Sequence, residues 1–449
     1  MKFQIIKLIL LTLFSFHSMS SQIEWNSKKD KIIIPFELSN NLIIIDVLVN
    51  NVTLSMLLDT GSDLNVLFSY PENDSIEFFE TRKIKLKGLG IGQTIDAYVS
   101  NKNKLQINEF TNNDFEVLLV TDSDIHIVNK LGLPINGIIG YSFFKDYLVE
   151  VNYQKQKIIL HKNENILNKR KIKKYSKIKF DLINDKPYVS LNSKLDENSF
   201  KLKLLFDTGL GDGLWLFEND SINCSRKYFL DFLGRGLGGD IKGKRSRINK
   251  LSFSNYNFSQ ALVSFPDSLS LSQLDFVKKR NGSLGGELIK RFNWFINYQT
   301  QELFFKKNSY YNDSFNYNMS GIELHHNGIQ WIKTTQRNYK LKNANSGKTH
   351  LNQLSSSDFI KSEEAIYFDV KYELKPVFEI YGIRENSPAY KVGLKVGDII
   401  LSINNKKAYQ YSIQKITNLF QSEEGKEITI EVQREGQVLK FKFQLEKLL

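Results

Sequence analysis

Two copies of one short motif constrain this chain more than any other feature. Residues 54–61 read LSMLLDTG and residues 202–209 read LKLLFDTG, so Asp59 and Asp207 stand 148 residues apart. Each is followed at 29 and 31 residues by a pair of glycines. These are Gly88 and Gly90 in KLKGLGIG, and Gly236 and Gly238 in FLGRGLGG. A third block, NGIIGYSFFKDYLVEVNYQKQ (136–156), aligns with NGSLGGELIKRFNWFINYQTQ (281–301) at an offset of 145. Three blocks kept in the same order mark an internal duplication. Each copy is long enough to form a lobe with its own core.

Within the copies the pattern is that of strands and turns. IIIPFEL (32–38), LIIIDVLV (42–49) and VTLSMLLD (52–59) are β-rich runs separated by Asn pairs. The second copy answers with KIKFDLI (177–183), PYVSLNS (187–193) and KLKLLFD (201–207). Helical periodicity is confined to short stretches after Tyr141 and Gly286. The expectation is a mainly β, two-lobed domain, with lobes over residues 30–165 and 166–307.

A carboxylate at the end of an apolar strand sits near low dielectric, where desolvation raises its pKa unless it is paired. The Gly of Asp-Thr-Gly lets the backbone turn sharply and lets another chain approach closely. A duplicated Asp-Thr-Gly can bring two carboxylates face to face. Two such groups share one proton, because both cannot ionise cheaply. One then accepts a proton from a water and the other donates to a carbonyl oxygen, which is hydrolysis without a metal or a covalent intermediate.

On these residues the chain resembles the retropepsin-like and pepsin-like aspartic proteases. The match lies in Asp59-Thr60-Gly61-Ser62 and Asp207-Thr208-Gly209, and in the later Ile138-Ile139-Gly140 and Ser283-Leu284-Gly285. The resemblance implies a pseudo-twofold fold with closed-barrel-like lobes, peptide-bond hydrolysis by Asp59 and Asp207, and usually an acidic optimum. It also implies that Thr60 and Thr208 hydrogen-bond across the lobe interface and that Ser62 bonds the outer oxygen of Asp59. It places flap hairpins at Gly88, Gly90 and Gly92 and at Gly236 and Gly238, with Tyr98 as the candidate flap tyrosine. Two positions depart from the pattern: Leu210 stands where Ser or Thr is usual, and Ser283 interrupts the apolar-apolar-Gly of the second copy.

Other chemistries fit less well. No G-x-S-x-G elbow supports a serine nucleophile. The Gly-rich segments lack the strand and helix context of a dinucleotide loop. Asp63 and Asp212 read as turn or loop residues. The single cysteine, Cys224, excludes a disulfide framework and a Cys-based zinc cluster, and the adjacent His325 and His326 read as surface residues. No metal and no cofactor are expected. The net charge of +12 admits nucleic acid as a partner. No nucleic-acid signature accompanies it, however, and the densest basic run, within residues 169–179, reads as a solvated linker.

Composition shifts after Lys307. Residues 338–365 are polar and read as an insertion. Beyond it, PVFEIYGI (376–383), SPAYKVGLKVGDIILSIN (387–404), an amphipathic Tyr411–Phe420 stretch and a final hairpin around Glu435-Gly436 follow one another. This order resembles a PDZ domain of the bacterial secreted-protease type, over residues 318–449. The resemblance implies that an extended peptide adds to an edge strand, its C-terminal carboxylate held by backbone N–H groups. Ser320-Gly321-Ile322-Glu323-Leu324 is the candidate loop, and a start for a further strand of the second lobe is its alternative.

Residues 1–21 have a basic start (Lys2, Lys7), a short apolar run and small residues Ser18, Ser20 and Ser21. They read as a secretory signal peptide, with no stable membrane span after cleavage and a bacterial periplasmic or extracellular destination. The whole reads as a secreted aspartic endopeptidase acting on polypeptides. Its PDZ domain takes C-terminal tails, and one copy is sufficient for catalysis. The alternative is a non-catalytic peptide-binding or scaffold protein that retains the fold.

Overall fold

The structure is a computed structural model. It describes residues 23–68, 75–86, 95–120, 135–170, 172–195, 197–224, 226–236, 239–271, 277–338 and 367–449. The signal-peptide reading, Gly88, Gly90, Gly92 and Gly238, and all but the first residue of the expected 338–365 insertion lie outside the described residues.

The chain is mainly β, as expected, and the strands of the described residues form three sheets. The Asn pairs explain much of the local wiring. Asn40 and Asn41, Asn50 and Asn51, and Asn404 and Asn405 all take positive φ, as do Asn184 and Asp185. Two successive positive φ values make the two-residue hairpin turn whose twist matches that of paired strands, and Asn tolerates it best after glycine. The first two pairs join Glu37–Ser39, Leu42–Val49 and Val52–Leu58 into a meander.

One set of strand pairings occurs twice. Val52–Leu58 runs parallel to Gly137–Ile139, which is antiparallel to Val66–Leu67. Asn198–Phe206 runs parallel to Gly282–Leu284, which is antiparallel to Leu214–Leu216. These are the duplicated blocks of the sequence, now side by side in space. Strands buried on both faces read as continuous apolar runs, which is why MLL and LLF precede the two aspartates.

The boundary expected near residue 165 is crossed by a sheet. Lys31–Pro35, Leu148–Asn152 and Lys157–His161, from the first copy, join Phe292–Asn297 and Glu302–Lys307 of the second in one thirteen-stranded sheet. The basic run is not simply a linker. It contains a turn with Ile172 buried and then enters the strand Ser176–Ile183, which pairs with Glu302–Lys307.

The C-terminal module has its own sheet. Ile322–Asn338 and Tyr367–Ile383 form a long antiparallel ribbon that continues to Ile399–Ile403, Glu427–Arg434 and Gln437–Gln444. Ser320–Leu324 therefore opens this sheet and not a strand of the second lobe. Ser387 caps the helix Pro388–Lys391, Gly393 follows it at φ +87°, and Ser412 caps the helix Ile413–Phe420. His325 and His326 are half-buried, not surface residues. Their rings lie 5.4 Å from Tyr381 and 5.1 Å from Phe378, on the strand they pair with, where His326 stands opposite Phe378. Among the described residues no helix is long and apolar enough to cross a membrane.

Candidate active site

Asp59 and Asp207 each follow the last residue of a duplicated strand, and each is fixed by the same bond. The Asp59 N–H donates to Ile139 O at 2.9 Å, and the Asp207 N–H donates to Leu284 O at 2.9 Å. Each carboxylate then turns back on its own motif. Asp59 Oδ1 accepts the Gly61 N–H at 2.7 Å, and Asp207 Oδ1 accepts the Gly209 N–H at 3.1 Å.

The two motifs interlock. Thr208 Oγ1 accepts the Thr60 N–H at 3.0 Å and donates to Leu58 O at 2.8 Å. Thr60 Oγ1 accepts the Thr208 N–H at 3.0 Å and donates to Phe206 O at 2.6 Å. Both threonines are buried. Each glycine makes room for the opposite carboxylate. A methyl group on Gly61 would lie 2.7 Å from Asp207 Oδ1, and one on Gly209 would lie 2.3 Å from Asp59 Cγ. Each carboxylate is thus seated against the other motif's glycine.

Residues 45–143 match the family model for aspartyl proteases. Residues 379–434 match that for PDZ domains. The chain carries an aspartyl protease domain followed by a PDZ domain. No curated protein matches it.

Burial raises both protease carboxyls. Asp59 is pushed up to about 8, by burial and then by the charge of Asp207, against the Gly61 N–H and Lys186. Asp207 is also raised by burial, but Arg280, the Gly209 N–H, the hydrogen bond from Asp59 and Lys186 pull it back. The two carboxyls titrate as a pair that shares one proton, and the Arg280 charge favours ionisation of Asp207.

Arg280 was not legible in the sequence as a site residue. Its Nη2 donates to Ser283 Oγ at 2.7 Å and its Nε to Gly282 O at 3.1 Å, with Phe217 and Tyr188 against its guanidinium. Ser283, which breaks the apolar pattern, is thus a hydrogen-bond partner of the cation beside Asp207. Leu210, the other departure, packs with Trp215, Leu233 and Ile241 on the cleft wall.

Three expectations are corrected. Ser62 Oγ donates to Leu64 O at 2.8 Å and accepts the Leu64 N–H, a local turn that draws it away from Asp59. Tyr98 lies mid-strand in Ile95–Ile107 and is not among the cleft-lining residues. Asp212 is more than a loop residue. It accepts Arg245 Nη1 at 2.9 Å, Trp215 Nε1 at 2.9 Å and Ser264 Oγ at 2.7 Å. Asp63, paired with Lys186 at 3.1 Å, is a surface turn residue as expected.

Gly236 ends the strand Tyr228–Gly236, whose hairpin with Gly239–Phe253 lines the cleft. This hairpin is tied to the PDZ domain. Asp231 accepts Arg245 Nε at 2.7 Å and Arg384 Nη1 at 3.2 Å, Phe232 lies edge-on to Tyr381, and Arg384 stacks over Phe229. The PDZ helix Ile413–Phe420 reaches the first copy of the duplication, where Gln414 Oε1 accepts Ser39 Oγ and the Asn40 N–H. Ser320, Gly321 and Ile322 form the head of the PDZ sheet, followed by Glu323 and Leu324 on the edge strand. Burial and the charge of Asp231 push Glu323 up to about 8.

Proposed function

We propose that this chain is an exported aspartic endopeptidase. It hydrolyses polypeptides with a water activated between Asp59 and Asp207, and its PDZ domain adds a second peptide-binding surface. The observation that carries the reading is the mutual seating of the two carboxylates, each against the other motif's glycine and both locked by the Thr60–Thr208 exchange. A relic of the fold has no need to keep two buried carboxyls pressed together, because each costs stability when it ionises.

Asp207, ionised, takes a proton from the water as the water oxygen bonds to the carbonyl carbon. Asp59, protonated, gives its proton to the carbonyl oxygen. The gem-diol then breaks at the C–N bond. The proton on Asp207 passes to the leaving nitrogen, and a diol hydroxyl returns a proton to Asp59. One water is consumed, and a carboxyl and an amine are formed. Both aspartates come from one chain, so a single copy supplies the dyad. With Asp59 at about 8, the singly protonated dyad persists towards neutral pH. That is milder than the acidic optimum usual for relatives of this kind. Residues 1–21 act as the export signal, which directs the protein to a periplasm or the exterior.

The test is cleavage of a degenerate peptide library by the purified mature chain from about pH 3 to about pH 8, with Asp59→Asn and Asp207→Asn alongside. Cleavage by the parent, abolished in both variants, is the expected result. Equal cleavage by all three, or none by a folded parent, refutes the assignment.

A further inference from the structure

The PDZ groove and the catalytic cleft are one cavity. A single space of about 1060 Å³ is lined by Asp59 and Asp207 at one part and by Leu324, Ile413, Thr417 and Phe420 of the PDZ domain at another. That is at or above the upper end of small-ligand pockets, and it suits a length of polypeptide. The Tyr228–Gly236 strand, held to the PDZ domain through Asp231 and Arg384, forms shared wall between the two parts. Among the described residues Ile322–Asn338 is the terminal strand of the PDZ sheet, the position at which an extended peptide adds to such a sheet.

The head of the groove is closed to a carboxylate. Met319, Ser320, Gly321 and Ile322 are buried, and Ser320 is 0% exposed. All four of their N–H groups are engaged within the chain. Met319 donates to Phe420 O at 3.0 Å, Ser320 and Gly321 both donate to Asn318 Oδ1 at 3.1 Å, and Ile322 donates to Ser320 Oγ at 3.1 Å. Asn318 Oδ1 also accepts Ser320 Oγ at 2.7 Å, and its Nδ2 donates to Ile322 O at 2.7 Å and Glu323 Oε1 at 3.3 Å. The carboxamide thus offers its oxygen to the donors a terminal carboxylate would use and its N–H to the strand's carbonyl. It fills the place of a peptide end. Gly321 seals the back, since a methyl group there would lie 2.2 Å from Ser387 Cβ.

We infer that the PDZ groove is an extension of the substrate cleft, taking an internal extended segment of the same polypeptide whose bond is cut, and that it does not read a free C-terminus. The occupant follows from the continuity of the two sites: a chain lying across the dyad has the apolar groove along its path, and the capped head lets the chain bind there without ending. The inference rests on the protease reading for the identity of its ligand as substrate.

The experiment begins with the full chain carrying Asp59→Asn and Asp207→Asn, which leaves a bound peptide intact. Extended peptides are selected on it by display. Each is then synthesised as its C-terminal carboxylate and its C-terminal amide, at full length and cut back from either end, and titrated by fluorescence anisotropy. Carboxylate and amide forms should bind within about twofold of one another, and cutting back one end should cost about tenfold or more in affinity, or about 1.4 kcal/mol. Thr417→Arg, placed in the same background at a half-buried position on the groove wall, should abolish the advantage of full length over cut-back peptide. Tenfold weaker binding of the amides overturns the inference, as does a length advantage that survives Thr417→Arg in a protein with unchanged unfolding. The amide comparison needs no groove variant, so it stands even if Thr417→Arg fails to fold. Failure of the protease reading is read separately: the wild-type chain would leave the selected peptides uncut while the binding results stood.

Discussion

Replacing Thr208 by Val tests the lock beneath the dyad. Valine keeps the shape and removes the hydroxyl, so the Thr60 N–H loses its acceptor and Leu58 O loses this donor. Both groups lie in a layer where Thr60 is 0% and Thr208 3% exposed, so water does not replace the partner. Stranding a buried polar group costs about 1–3 kcal/mol, so the pair predicts about 2–6 kcal/mol of lost stability. Thr208→Ser keeps both bonds and deletes one methyl, at about 1 kcal/mol. Urea unfolding followed by tryptophan fluorescence reads the difference, because Trp215 and Trp294 are both buried in the second copy's half. The Val variant should also lose peptide cleavage well beyond the Ser variant, since the carboxylates are no longer held in register. A Val variant no less stable than the Ser variant would refute the reasoning.

Two further outcomes follow from the charges around the dyad. Arg280→Gln removes the main group that opposes the burial-driven rise of Asp207, so Asp207 should protonate at higher pH and the acid limb of kcat/KM should move upward and narrow the bell. A pH–rate profile measured on a library-selected peptide checks this, and an unmoved acid limb counts against it. Asp59 binds a proton in the folded chain and not in the unfolded chain between its ordinary value of 3.8 and about 8, so its contribution to stability is present below that window and is lost as pH rises through it. Asp59→Asn, which has no proton to lose, should show a flatter decline in urea midpoint across the same range, and an identical decline would remove Asp59 as its source.

Much of the fold was legible because its signals are local. Apolar runs of strand length, Asn pairs that require a left-handed turn, and Ser-Pro and Gly boundaries around a short helix all act within a few residues. The duplicated blocks mark the two aspartates by repetition alone. Ser62 departs from the expectation because its hydroxyl has two local partners at Leu64, and a motif match does not weigh that competition. The roles of Arg280 and Asp212 do not show in the sequence, because Asp207 in one case and Arg245 and Ser264 in the other come near only when segments distant in sequence are laid side by side.

The sequence by itself determined the strands, the duplication, the pair of carboxylates and the order of the modules, since each follows from periodicity, turn chemistry and repetition along the chain. Only the tertiary structure decided that Arg280 favours ionisation of Asp207, because that depends on where the guanidinium charge sits relative to the carboxyl. It alone decided that the PDZ head is filled by Asn318 and that the groove opens onto the dyad. Burial, donor satisfaction and the joining of cavities are properties of surfaces brought together in space, and a linear order of residues does not carry them.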